Sequence, residues 1–188
     1  MGMPVKLLIV ALTLVAVCKA QTVAYGHNDR YLLPDRKVTP GAINPKIVAD
    51  PSGKSIIVNG VEANVCAKSF SSDPYKTSTE AMNHQVCEEY GVKGCPGAEK
   101  GQIDHLIPLQ IGGADAINNL WWQPEPDHTV KAQVGGTLKD LICTGRISLQ
   151  FAQQCMQHNW VNCMWATDSL KNCANCTLTV SPNIKTPR

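Results

Sequence analysis

From Asp127 onward the apolar positions Val130, Val134, Leu138 and Leu141 step by four, four and three, the spacing of one helix face. Asp127 stands where an N-cap would stand. Gly135 and Gly136 weaken the middle of this helix, and "CTGR" at 143–146 ends it. Ser148 can cap a further helix running to about Asn159. Earlier, Ala81, Val86 and Tyr90 fall near helical spacing, which predicts a helix from about Ser78 that "GVKGCPG" closes. Between the helices, "GQIDHLIPLQ" and "NNLWWQP" read as extended pieces joined by "IGGADAI", a β-hairpin with a long loop. The Pro- and Gly-rich stretch 39–60 reads as a loop with one short strand, Ser55 to Val58. Residues 21–38 are polar and mixed, an arm expected to pack loosely or not at all. The cysteine-rich tail from Val161 is expected to be stapled rather than packed. No internal repeat or low-complexity tract interrupts this order.

The first twenty residues stand apart. "MGMPVKLLIVALTLVAVCKA" has a lysine near its start, an apolar run from Leu7 to Val17, and small residues at Cys18 and Ala20. This is the layout of a secretory signal peptide with cleavage after Ala20. The apolar run is short for a membrane span, and no second one follows. The expected organisation is a signal peptide over 1–20, an N-terminal arm over 21–38, a main domain over 39–165 and a cysteine-containing tail over 166–188. The expected location is extracellular, with no membrane association after the signal is removed.

Removing the signal changes the charge and cysteine counts. Without Lys6 and Lys19 the 17 basic residues fall to 15, equal to the 15 acidic ones. No global basic field then draws in polyanions. Loss of Cys18 leaves eight cysteines: Cys66, Cys87, Cys95, Cys143, Cys155, Cys163, Cys173 and Cys176. An even set in a secreted chain reads as disulfides, whose pairing sequence alone does not choose. Cys87 and Cys95 are close enough in sequence for a local bridge. The C-x-x-C of Cys173 and Cys176 could be a redox or zinc motif, and in this context it reads as structural. Asn175 opens the N-glycosylation sequon Asn-Cys-Thr.

The chemistry concentrates on the hairpin and the start of the following helix. Asp104 and His105 sit side by side on the first strand, Asn119 opens the second, and His128 lies in the first helical turn. Strand neighbours point to opposite faces, so Asp104 and His105 enter one site only through a twist, a bulge or a backbone contact. A carboxylate and an imidazole accept Mg²⁺, Mn²⁺ or Zn²⁺. A histidine left unligated can take a proton from water near neutral pH. Metal ion plus general base suits phosphodiester hydrolysis. Residues 99–131 carry five acids against Lys100 and Lys131, a surplus that suits cation binding better than unaided DNA binding. Trp121 and Trp122 could stack on bases, although strand alternation puts one of them in the core. His27, His84 and His158 lack an acid–His context and read as surface or helix residues.

"DHLIPLQIGG", "NNLWWQP" and "DHTVK" together resemble an HNH endonuclease of the ββα-metal class. Asp104, His105, Pro108, Gly112, Gly113, Asn119, Leu120, His128 and Lys131 match that family's pattern in order. "TPGAINP", "CTGRISLQFAQQC" and "NW" at 159–160 extend the resemblance to secreted HNH-like proteins, over roughly residues 39–160. The resemblance implies an α+β fold with a ββα-metal core, additional helices and disulfide staples. It implies His105 as general base, Asn119 as the residue orienting that base, Asp104 and His128 as ligands of one divalent ion, and Lys131 as a phosphate contact. Asp127 and Glu125 are alternative helix ligands, because "NLWWQPEPDH" carries Trp and Pro where many relatives carry cysteines. It also suggests Cys66 with Cys143, leaving Cys155, Cys163, Cys173 and Cys176 to tie the last helix to the tail. The implied activity is metal-dependent endonuclease action on DNA or RNA. The other expectation is a non-enzymatic secreted effector, defence or binding protein on the same scaffold. The residues do not specify an oligomeric state.

Overall fold

A two-residue turn makes the first hairpin of the fold. Asn59 and Gly60 both have positive φ, 52° and 81°, the turn that matches the twist of paired strands. It joins β1 (Ile57–Val58) to β2 (Val61–Glu62) in antiparallel register. The expected strand begins two residues late, and its partner was too short to show alternation. In the computed structural model, which describes residues 31–95 and 100–171, the chain is mixed α+β. Among the described residues it has three α-helices and two small sheets. The expected signal segment, Asn175, Cys173 and Cys176 lie outside the described residues.

Helix α1 (Glu80–Glu89) starts after Thr79, whose hydroxyl accepts the Met82 N–H, and buries Val86 and Cys87. The second sheet is the expected hairpin. Strand β3 (Gly101–His105) pairs with β4 (Leu120–Pro124), placing Asp104 opposite Trp121 and Gln102 opposite Gln123. Helix α2 (Asp127–Cys143) follows directly and buries Val134, Leu138 and Leu141 as their spacing requires. Asp127 is the first helical residue rather than the cap, and its carboxylate accepts the Leu32 N–H at 2.7 Å. Gly135 has a reason beyond helix propensity: a Cβ there would meet Gln110 Nε2 at 2.9 Å and Pro108 Cγ at 3.0 Å. Its absence lets α2 sit directly on the turn after β3.

Helix α3 (Leu149–Lys171) corrects the sequence reading. Ser148 caps it as expected, accepting the Phe151 N–H at 3.0 Å. At Asn159 the backbone leaves the helix, with φ −169° and ψ 100°, and a second helical run begins at once. The Asn159 side chain caps that run by accepting the Val161 and Asn162 N–H groups. Residues after 160 are packed, with Trp160, Cys163, Thr167 and Leu170 buried. Their steps of three, four and three are helical, but a Cys and a Thr among them hide the apolar period. The stretch 31–38 is also docked. Trp160 Nε1 donates to the Leu32 carbonyl at 2.9 Å, and the Tyr31 and Trp160 rings lie 5.5 Å apart. These contacts are specific rather than periodic, so no pattern announced them.

Three disulfides join described residues. Cys66–Cys143 and Cys87–Cys95 match the expected pairs. Cys155 bonds Cys163, which ties the expected last helix to the start of the expected tail, a stretch that is itself helical in α3. Eight residues of straight helix span about 12 Å, whereas these Cα atoms are 5.7 Å apart. The break at Asn159 folds the helix enough to close the bridge. The core lies between the hairpin, α2 and α3, around Trp121, Trp160, Leu106, Ile107, Leu138 and Met156. No helix of the described residues is long and apolar enough to cross a membrane.

Candidate functional site

The loop between β3 and β4 is tied from within by one side chain. Asn119 is fully buried. Its amide donates to the carbonyls of Ile107 at 3.0 Å and Ala114 at 2.7 Å, and its oxygen accepts the Ile107 N–H at 3.0 Å. It also accepts the Ala42 N–H at 3.4 Å. Gly113 is required here, because a Cβ would collide with the Ile107 carbonyl, and Gly112 takes a positive φ of 80°. Asn119 therefore does not bond His105. Its hydrogen-bonding capacity is spent on backbone, and its work is to shape the loop.

That loop carries the partner of His105. Asp115 Oδ1 lies 2.7 Å from His105 Nε2, with the Asp115 side chain 1% exposed and the His105 side chain 19% exposed. The other Asp115 oxygen accepts the N–H of Ser78 at 2.5 Å and that of Thr77. Burial pushes this carboxyl up, but the hydrogen bonds from His105, Ser78 and Thr77 outweigh it and hold it below the usual aspartate value. The His105 Nδ1 atom makes no hydrogen bond among the described residues. The result is an imidazole fixed by an ionised carboxylate at one nitrogen and open at the other. In the sequence Asp115 read only as one more acid. Its position two residues beyond the glycine pair was the available signal, and the facing N–H groups of Thr77 and Ser78 carried none.

Asp104 points the other way, as the strand pleat demands. Its Oδ2 accepts from Lys131 Nζ at 2.6 Å, and the same ammonium donates to the His105 carbonyl at 2.5 Å. Lys131 is 1% exposed. Burial pulls its pKa down against the pull of Asp104. The expectation that Lys131 touches phosphate is corrected: its charge is buried and occupied. One turn earlier on the same face of α2, His128 Nδ1 lies 2.5 Å from the Gln102 amide and 3.1 Å from Glu125 Oε1. Glu125 is held below its usual value, first by the Thr129 hydroxyl and, against burial, by the Thr129 N–H and His128.

Asp104 and His128 thus flank one side of the hairpin–helix junction, while the His105 ring lies on the other. Asp104 Oδ1 and His128 Nε2 remain without protein hydrogen bonds among the described residues. The Glu125 carboxylate favours a proton on His128 Nδ1, whereas the Gln102 amide nitrogen facing the same atom favours a lone pair there. Nε2 keeps its lone pair in the first tautomer, with the Gln102 amide turned to present its oxygen. Among the described residues no group of three or more His, Cys, Asp or Glu side chains could hold a metal ion. The two atoms left over, a carboxylate oxygen and an imidazole nitrogen, are of the chemical types that a divalent ion takes. Glu125 is engaged with Thr129 and His128 and Asp127 with Leu32, so neither alternative helix ligand is better placed. Trp121 is buried at 1% exposure, and Trp122 lies partly exposed over Gly101. No family model matches the chain, and no curated protein or solved structure matches it.

Proposed function

We propose that this chain is a secreted endonuclease that hydrolyses phosphodiester bonds of DNA or RNA on a ββα-metal scaffold of the HNH type. The observation that carries the reading is the His105–Asp115 pair. A buried carboxylate with two backbone donors holds a half-open imidazole at the end of a strand, the arrangement a general base needs. The order hairpin then helix, with α2 packed on the turn after β3, supports the scaffold. Three disulfides suit an oxidising compartment and hence secretion.

In this mechanism His105 receives a proton from the attacking water at its open nitrogen. Asp115 holds the ring and stabilises the imidazolium that forms. Asn119 and the glycine pair keep Asp115 in place. Asp104 and His128 would hold the divalent ion, Mg²⁺ or Mn²⁺, which when bound would supply positive charge to a phosphate lying across the end of β3, the edge that the Asp104 and His105 faces share. Plasmid and RNA digestion with Mg²⁺ or Mn²⁺, with and without EDTA, tests this reading. His105→Ala should lose about a hundredfold or more, since a positioned base contributes on the order of 10² to 10⁴. A wild-type rate in that variant would refute the assignment. No digestion by the wild-type chain under any metal condition would favour a binding protein instead.

A further inference from the structure

We propose that Lys131 is a resident cation, which assembles the hairpin–helix junction without a metal and keeps the site's affinity for divalent ions low. The proposal rests on the ion site assigned above to Asp104 and His128. The Lys131 ammonium lies between a carboxylate oxygen of Asp104, at 2.6 Å, and the carbonyl of His105, at 2.5 Å. Carboxylate and backbone carbonyl are the oxygens that a hard cation takes. The side chain is 1% exposed, so the charge is fixed there and not exchanging with solvent. It joins the last two residues of β3 to the second turn of α2, where a shared ion would otherwise join them.

Two consequences follow. The junction needs no ion to form, because its two oxygens already have a positive partner. An ion entering the site finds only the second Asp104 oxygen and the outer nitrogen of His128, and it sits beside a fixed positive charge that repels it. Binding is therefore weak and reversible. Lys131→Met keeps most of the side chain's length and removes the charge. It exposes two further oxygens to the ion and removes the repulsion. It also leaves the Asp104 carboxylate without its partner, which destabilises the metal-free protein.

The experiment uses the disulfide-bonded protein and no nucleic acid. Wild-type Tm should be the same in EDTA and in buffer. By calorimetric titration with Mn²⁺, Lys131→Met should bind at least about tenfold more tightly than wild type. Its lowered Tm should rise with Mn²⁺ by mass action, while the wild-type Tm barely moves. A wild-type Tm that drops by several degrees in EDTA would overturn the proposal, as would a variant that binds Mn²⁺ no more tightly than wild type. If Lys131→Met does not refold in metal-free buffer, refolding with Mn²⁺ decides: recovery supports the proposal, and equal failure overturns it. These readouts are independent of digestion, so a failed nuclease assay and a failed resident-cation assay are separate results.

Discussion

Replacing Asn119 with alanine separates shaping the loop from acting on the base. The Asn119 side chain satisfies the N–H and C=O of Ile107, a fully buried residue, and the C=O of Ala114, which is partly buried. Leaving a buried backbone group unpaired costs about 1–3 kcal/mol. The two Ile107 groups dominate, and the Ala114 carbonyl adds less because water can reach it in part. The expected loss is about 3–5 kcal/mol. In a chain of this size roughly 2–4 °C of Tm accompany each kcal/mol, so Tm should fall by about 6–20 °C. Asn119→Asp should do no better, since its carboxylate would face the two carbonyls that the amide now serves. Urea unfolding, with the midpoint shifted and m unchanged, measures the effect. A loss under about 1 kcal/mol would refute the reasoning. If stability were kept while nuclease activity vanished, Asn119 would act on His105 directly, as the family resemblance implies.

The staples and the acid response give two further expectations. Loss of Cys66–Cys143 through paired serine substitutions should cost more than loss of Cys155–Cys163, because the loops closed are 77 and 8 residues long. The chain-entropy argument puts these at about 4.5 and 2.5 kcal/mol, which thermal unfolding of the two double variants compares. A larger loss for the shorter loop would count against it. In acid, Glu62 should matter most, and Asp115 should contribute in the same sense. Glu62 is held at about 2, chiefly by the Ser55 hydroxyl and the Ile56 N–H. Both carboxyls lie below their unfolded values, so the unfolded chain takes up protons first as pH falls. Their contribution is full above about pH 4 to 4.5 and is lost as pH drops toward the folded values. Urea unfolding from pH 6 to pH 2.5 should show stability falling with acid, with a shallower fall in Asp115→Asn. An identical slope in that variant would count against the Asp115 assignment.

The helices and the hairpin were legible because each rests on a local pattern. Val134, Leu138 and Leu141 repeat at helical spacing, and α2 buries them. "NNLWWQP" with "GQIDH" had strand chemistry on both sides of a glycine turn, and the two pair in register. Asp104 and His105 could be expected on opposite faces from the pleat alone, and their partners on α2 and the β3–β4 loop agree. What tertiary structure decided is who meets whom. Asp115 became the partner of His105 because Asn119 bends the loop and the N–H groups of Thr77 and Ser78, far back in the chain, close over its carboxylate. Lys131 became a buried cation because Gly135 lets α2 approach the hairpin closely enough to cover its side chain. The break at Asn159, and the disulfide that spans it, depend on a side chain capping its own following turn. Local spacing encodes which face a residue takes, whereas hydrogen-bond partners distant in sequence exist only once the elements have docked.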